Sequence, residues 1–253
     1  MKNGKSKLNI GWFYPDLMST YGDRGNVMIL TKRSLWRGID VDVILIDLES
    51  NPKEIRALDL IFMGGAQDRQ QEIVNEDLIN NKASYLKEAI EKNIPALFIC
   101  GAYQFMGKYY KAANGNIVPG LGIFDLYTEH PGLNKKRLIG DIIVKPFADF
   151  SKMPWIGFEN HGGRTYLSEN VKPLAKVLKG FGNNGRDEEE GVVYNNAIGT
   201  YLHGPVLSKN PELADWLIVK ALEIKYKYTA ELTKLDDKLE KKARTVIIKR
   251  YRL

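Results

Sequence analysis

The sequence predicts an α/β fold: an open, mostly parallel sheet flanked by helices, with antiparallel additions in the second half of the chain. In the first half, apolar runs of about four to eight residues alternate with longer amphipathic segments, which is typical of βαβ units. These runs are almost continuously apolar, as expected for strands with helices on both faces. In the second half, short β-rich runs are broken by Gly, Pro and Asn, which favours antiparallel strands.

The predicted elements follow in order. First-half strands are expected at 8–14, 41–47, 60–63 and 96–99, with helices at 25–37 and 78–92. Second-half strands are expected at 120–127, 138–145, 155–158, 175–179 and 191–194, with a turn at 182–185. Pro211 begins a last apolar-periodic helix that extends to residue 226. We therefore expect one domain over 1–228, followed by a charged, helical tail over 229–253.

The composition limits the class of protein. No run of about 18 apolar residues occurs and no signal-peptide pattern follows the basic N-terminus, so we expect no membrane span. A single cysteine cannot form an internal disulfide, which favours a cytoplasmic protein. Much of the net charge of +6 lies near the C-terminus. This charge indicates either a solvated helix or a docking surface for an anionic substrate or protein. The sequence has no zinc-finger or RNA-recognition signature, so we do not expect nucleic acid binding.

Cys100 lies where an apolar strand meets a helix-compatible stretch, in IPALFICGAYQFMG at 94–107. This is the arrangement of a nucleophile elbow, in which a reactive side chain occupies a tight turn between a strand and a helix. The helix N-terminus favours a thiolate, and the N–H of Gly101 could stabilise the oxyanion that forms when sulfur attacks a carbonyl. The alternative is a buried cysteine that only packs, and this segment alone leaves both open.

Other strand ends carry groups that the same chemistry needs. Gly64 and Gly65 end the strand at 60–63, and the carboxyl ends of parallel strands share one edge of a sheet, so the N–H of Gly65 is expected to be a second oxyanion donor. A nearby imidazole is the usual activator of a thiol. His203 follows a strand-like run and is favoured over His161, which lies in a Gly-rich loop, although isolated histidines are more often structural.

Seven short segments occur along the chain: TYGDRGN at 20–26, FMGG at 62–65, FICGAYQ at 98–104, RLIGDI at 137–142, GFENHGGRTY at 157–166, GFGNN at 180–184 and GTYLHGP at 199–205. The four at 62–65, 98–104, 157–166 and 199–205 resemble the class I, triad-type glutamine amidotransferases, and specifically their cobyric-acid-synthase-like branch. The other three strengthen the resemblance to one member of that branch. Each segment alone is a weak signal. The ordered set is strong because it extends over most of the chain.

The resemblance implies a flavodoxin-like fold and hydrolysis of L-glutamine to glutamate and ammonia. Cys100 would attack the side-chain amide to form a glutamyl thioester, with His203 as the base. The implied oxyanion and substrate-binding residues are Gly65, Gly101, Gln104, Arg137, Asn160, His161 and Gly162. The alternatives are an exposed helix residue for Gln104 and a surface charge for Arg137. The resemblance implies no metal and no cofactor.

The sequence departs from most triad amidotransferases at Pro205, where they carry a Glu that orients the histidine. A catalytic base normally needs such a group, and we hypothesise that a partner subunit supplies an Asp or Glu. A partner is also expected because the sequence has no G-x-x-x-x-G-K-[ST] loop for ATP. By resemblance, this partner is a Mur-ligase-like, ATP-dependent synthetase subunit that uses the ammonia to amidate D-glutamate to D-isoglutamine in a membrane-bound, lipid-linked peptidoglycan precursor.

Two other functions fit the same scaffold. A cysteine peptidase or γ-glutamyl hydrolase would use Cys100 and His203 on a different substrate, although Gln104 and Arg137 argue against it. A catalytically inactive scaffold subunit would have kept the fold and lost the chemistry. The missing orienting acid is the only sequence feature that supports this second alternative.

Overall fold

The computed structural model describes residues 6–66, 68–147 and 150–253. Its strands, in chain order, are β1 (Lys7–Phe13), β2 (Asp40–Ile46), β3 (Leu60–Met63), β4 (Ala96–Ile99), β5 (Tyr109–Lys111), β6 (Ile117–Pro119), β7 (Leu126–Glu129), β8 (Leu138–Pro146), β9 (Trp155–His161), β10 (Arg164–Leu167), β11 (Ala175–Lys179), β12 (Glu189–Glu190), β13 (Val192–Tyr194) and β14 (Ala197–Thr200).

Its α-helices are α1 (Arg24–Leu35), α2 (Asp68–Asp77), α3 (Ala83–Glu91), α4 (Gly101–Phe105), α5 (Val206–Lys209), α6 (Pro211–Tyr226) and α7 (Lys238–Arg250). Short 3-10 turns lie at Thr20–Gly22 and Pro52–Ala57, and a π-helical turn at Leu78–Lys82 joins α2 to α3. Among the described residues, no helix combines the length and the apolar character needed to cross a bilayer.

The central sheet has the strand order β13-β14-β4-β3-β1-β2, and every neighbouring pair is parallel except β13 with β14. All residues of β3, β4 and β14 are buried, so both faces of the sheet are covered at its centre. This explains why these strands are continuously apolar in sequence. The predicted α/β class with a mostly parallel sheet is confirmed, and the carboxyl ends of β3, β4 and β14 lie side by side.

Two four-stranded sheets extend the second half of the chain, in the orders β10-β7-β5-β6 and β12-β11-β8-β9. Most of their pairings are antiparallel, as the sequence predicts, while β5 with β7 is parallel. The longest ladder joins β8 to β9, with Leu138 opposite His161 and Ile139 opposite Asn160. This register places the segment just before β8 beside the last residues of β9.

One predicted strand differs from the structure, and one helix of the structure was not predicted. The expected strand at 120–127 is wrong for its first part, because a Gly-containing loop separates β6 from β7 and Gly122 adopts a left-handed φ of 61°. The sequence analysis also missed α2, whose sequence DRQQEIVNED has only two apolar residues and therefore no clear apolar face.

The C-terminal segment packs against the rest of the chain through ion pairs. Arg33 in α1 donates to Asp215 in α6 at 2.7 Å and to Asp237, just before α7, at 2.6 Å. Arg244 in α7 is 2% exposed and donates to Glu212 in α6 at 2.6 Å. Buried pairs of this kind are costly to break, because the remaining charge is left without a partner. The division of the chain at residue 228 stays a prediction.

Candidate active site

Cys100 occupies a tight turn between β4 and α4. Its backbone has φ 53° and ψ −106°, a strained conformation for a residue other than glycine. The turn is fixed on both sides, because the N–H of Cys100 donates to the carbonyl of Thr200 at 2.9 Å and its own carbonyl accepts from the N–H of Gln104 at 3.0 Å. Cys100 also lines a cavity of about 640 Å³. This geometry is that of the elbow expected from the sequence.

His203 lies just beyond the end of β14, the neighbour of β4. Its backbone forms two hydrogen bonds with Phe158 of β9, of 2.8 and 3.1 Å. A Cβ placed on Gly65 would come 3.0 Å from the Cε1 of His203 and 3.2 Å from the Cβ of Cys100. The imidazole and the side chain of Cys100 therefore both lie next to Gly65, and a side chain at this position would crowd both.

Asp23 is the acid that sequence analysis did not find. Its Oδ1 lies 3.1 Å from Nδ1 of His203, and both side chains are completely buried. A carboxylate of the chain itself therefore already occupies the position, and the hypothesis that a partner subunit supplies such a group stays a prediction. With Nδ1 bonded to Asp23, the Nε2 of His203 is the nitrogen left for the thiol.

Asp23 also sets the charge of His203. Burial lowers the pKa of His203, but the charge of Asp23, the hydrogen bond to Asp23 and the contact with Cys100 raise it, and the net pKa is about 10. The imidazole is therefore a cation at neutral pH. A cationic imidazole favours the thiolate form of a neighbouring cysteine, which is the attacking form.

The raised pKa predicts how stability depends on pH. The pKa of His203 rises from 6.5 to about 10 on folding, so its stabilising effect is complete below pH 6.5 and is lost as the pH rises towards 10. We expect the melting temperature of the native chain to exceed that of His203→Gln most at pH 6, with the difference shrinking steadily up to pH 10. Thermal unfolding followed by circular dichroism measures this difference. A constant difference across this range would contradict the cationic state.

The predicted role of Gly65 as an oxyanion donor is wrong. Its N–H donates to Oδ2 of Asp23 at 2.8 Å, so this hydrogen points towards the acid. Ala66 follows and lines the cavity, and its backbone nitrogen is 3.5 Å from the position of a Cβ on Gly101. The backbone nitrogen of Ala66 therefore lies close to Gly101, the residue that follows Cys100. Ala66, one position later in the predicted loop, is the residue of this loop that reaches the cavity.

Gln104 and His161 form the inner wall of the cavity. Gln104 is 4% exposed and donates from Nε2 to the hydroxyl of Tyr201 at 3.0 Å, so the alternative of an exposed helix residue is excluded. His161 stacks on the same Tyr201, with ring centroids 3.6 Å apart. Burial lowers the pKa of His161 to about 3, and its Nδ1 contacts the carbonyl of Gly163 at 2.8 Å, so it is a neutral ring that donates from Nδ1. Oε2 of Glu159 lies 3.8 Å from Nε2 of His161, which is farther than the 3.1 Å between Asp23 and His203.

Arg137, Asn160 and Gly162 lie at the outer part of the cavity. Arg137 is exposed and donates from Nε to Oδ1 of Asn160 and from Nη2 to its backbone carbonyl, each at 2.8 Å. A Cβ on Gly162 would lie 2.8 Å from the ring of His130 and 3.3 Å from Nη1 of Arg137, so glycine leaves room for both. Of the nine predicted site residues, six line this cavity, whereas Gly65, Gly101 and His203 lie next to Cys100 without lining it.

A sequence model of the CobB/CobQ-like glutamine amidotransferase domain matches residues 9–211. The chain belongs to this family. It is 42% identical over 244 residues, covering 96% of both chains, to the lipid II isoglutaminyl synthase (glutamine-hydrolyzing) subunit GatD of Staphylococcus aureus strain N315. It is 41% identical over 231 residues to the subunit of the same name from Streptococcus pneumoniae R6, covering 91% of this chain and 86% of that one. The resemblance stated from the sequence segments is confirmed.

Two solved structures with low sequence identity have the same fold. A crystal structure of a glutamine amidotransferase superposes with a TM-score of 0.56 at 12% identity, covering 84% of this chain and 98% of that one. A glutamine amidotransferase from Thermotoga maritima superposes with a TM-score of 0.52 at 18% identity, covering 95% and 93%. At such identities the similarity shows the fold alone.

Proposed function

We propose that this amidotransferase-family chain is a glutaminase subunit, which hydrolyses L-glutamine to L-glutamate and ammonia. The observation that carries the proposal is the convergence of Cys100, His203 and Asp23 at one edge of the sheet, beside a cavity. The peptide and γ-glutamyl hydrolase alternatives would use the same triad, but the relatives that align over nearly the whole chain are glutamine-hydrolysing subunits.

In the proposed reaction, the thiolate of Cys100 attacks the side-chain carbonyl carbon of glutamine. The N–H groups of Gly101 and Ala66 stabilise the oxyanion that forms. Protonated His203 then gives its proton to the leaving ammonia, which leaves a γ-glutamyl thioester on sulfur. Neutral His203 next takes a proton from water, the resulting hydroxide attacks the thioester, and glutamate and the thiolate are released. Asp23 holds the imidazole in one orientation throughout.

The charges around the cavity fit a zwitterionic amino acid. Among the described lining residues, Arg137 is the only Arg or Lys and Glu72 is the only acid. In the proposed complex, Arg137 binds the α-carboxylate of glutamine, for which a guanidinium is well suited, and Glu72 faces the α-ammonium group. Gln104 lines the inner wall, where it contacts the side chain of the substrate. The alternative of a mere surface charge does not account for the position of Arg137 on the cavity.

The proposal extends to a partner that uses the ammonia. The GatD relatives are named as subunits of lipid II isoglutaminyl synthase, and their alignment with this chain from end to end supports the same role here. The partner would be a Mur-ligase-like synthetase that activates the D-glutamate carboxyl of lipid II with ATP, so that ammonia gives D-isoglutamine. A cytoplasmic location belongs to the same proposal, because such a partner needs the cytoplasmic ATP pool.

Glutaminase activity is tested by measuring ammonia and glutamate release, with and without the synthetase partner. We expect turnover of L-glutamine and none of L-asparagine, D-glutamine, γ-glutamyl dipeptides or unmodified peptides. Faster cleavage of a peptide or of a γ-glutamyl dipeptide would instead favour one of the hydrolase alternatives. No turnover of L-glutamine even with partner, ATP and lipid II present would favour the inactive scaffold.

A further inference from the structure

Tyr21 is an exposed aromatic residue held in an unusual conformation beside the triad. It lies in the turn Thr20–Gly22, two residues before Asp23, with φ 53° and ψ 29°. The residue is 49% exposed and lines the cavity. A left-handed tyrosine is disfavoured, so contacts of its side chain must hold it there.

The ring of Tyr21 packs against the catalytic base. It meets the imidazole of His203 edge to face, with centroids 5.0 Å apart and an interplanar angle of 74°. It also meets Phe158 edge to face at 6.2 Å. Phe158 also forms the backbone bridge to His203. Phe158 therefore holds the main chain of the base, while Tyr21 packs against its ring. His203 is fully buried although its covering residue is half exposed.

The hydroxyl of Tyr21 connects this packing to the rim of the cavity. It accepts a hydrogen bond of 2.7 Å from Nδ2 of Asn160. Oδ1 of the same Asn160 accepts from Nε of Arg137 at 2.8 Å. Both polar atoms of the amide are therefore used, and one side chain joins Arg137 to Tyr21.

We propose that Tyr21 is a positioning residue, which fixes the imidazole of His203 and couples it through Asn160 to the carboxylate-binding Arg137. Glutamine bound at Arg137 then favours the arrangement in which the base faces the thiol. An empty site lacks this constraint. The inference rests on the proposed glutaminase function, because it gives Arg137 the substrate carboxylate. It also assigns a second role to Asn160, which connects Arg137 to Tyr21 in addition to lining the cavity.

The contributions of the ring and of the hydroxyl group of Tyr21 can be separated by mutation. In Tyr21→Phe the ring stays on His203 and only the bond to Asn160 is lost, so we expect KM to rise several-fold while kcat changes by less than about twofold. In Tyr21→Ala the imidazole loses its cover, and we expect kcat to fall about tenfold to a hundredfold, as for a small misplacement of a catalytic group. The alkaline limb of the pH–rate profile should also shift in Tyr21→Ala only.

Two further variants complete the experiment. Asn160→Ala should reproduce the KM effect of Tyr21→Phe, and the double variant should show little additional change, because both remove the same connection. Tyr228, which is 48% exposed and lies away from the cavity, supplies the control Tyr228→Ala, with kinetics like those of the native chain. Kinetics of Tyr21→Ala equal to those of Tyr228→Ala would overturn the proposal.

Nuclear magnetic resonance spectroscopy tests the positioning role of Tyr21 without a measurement of turnover. The sequence has three histidines, so the ring protons of His203 can be assigned by single substitutions. We expect Tyr21→Ala to shift these protons, because the tyrosine ring current is lost, and Tyr228→Ala to leave them unchanged. A native chain that does not hydrolyse glutamine even with the synthetase partner, ATP and lipid II present would refute the proposed function. Unchanged His203 resonances in Tyr21→Ala would refute the positioning role.

Discussion

Replacing Cys100 with alanine is expected to abolish glutamine hydrolysis, with a loss on the order of 10⁴-fold or more. The thiolate is the only group placed to form the thioester, and His203 and Asp23 can only activate it. Alanine keeps the Cβ and therefore keeps the strained φ of 53° at this position. The fold should not change, and we expect a melting temperature close to that of the native chain.

The measurement combines turnover with labelling by 6-diazo-5-oxo-L-norleucine, a glutamine analogue that alkylates the nucleophile. Mass spectrometry should find one adduct on Cys100 of the native chain and none on Cys100→Ala. The chain has no second cysteine, so any adduct that remains in the variant would lie on another residue type. Such an adduct, or turnover near that of the native chain, would mean that Cys100 is not the nucleophile.

Much of this site could be predicted because parallel strands collect their carboxyl ends at one edge of the sheet. Cys100 ends β4, Gly65 follows β3 and His203 follows β14, and these three strands are neighbours. The apolar runs were long enough to locate each strand. Once the strands were located, the chemistry of the residues that follow them was sufficient to propose a nucleophile and a base.

Asp23 could not be found in this way, because it lies 180 residues from His203 and no local pattern joins the two. In the sequence, an Asp just before a helix indicates an N-cap. Asp23 does occupy the N-cap position of α1, but its side chain forms no capping bond. It turns instead to His203 and to the N–H of Gly65. The predicted role of Gly65 failed for the same reason. The N–H of Gly65 points to Asp23 rather than to the cavity, and the position of Asp23 could not be known from the sequence.

Asp23→Asn is therefore the variant that tests the triad of Cys100, His203 and Asp23. We expect kcat to fall by about 10²- to 10⁴-fold, with little change in KM. The amide has no charge to offset the burial of His203, so the pKa of the imidazole falls and the ring becomes neutral at pH 7. Its NH₂ group can also face Nδ1 and force the hydrogen onto Nε2, where it no longer accepts a proton.

Asp16→Asn is the matched control, because it makes the same chemical change at an exposed position of the same loop. Its turnover should equal that of the native chain, whereas Asp23→Asn should lose activity both alone and with the synthetase partner. Recovery of Asp23→Asn on addition of the partner would show that the partner supplies a competing acid. Turnover of Asp23→Asn equal to that of Asp16→Asn would show that Asp23 does not orient the base. The carboxylate at 3.1 Å would then serve only to hold the loop against Gly65.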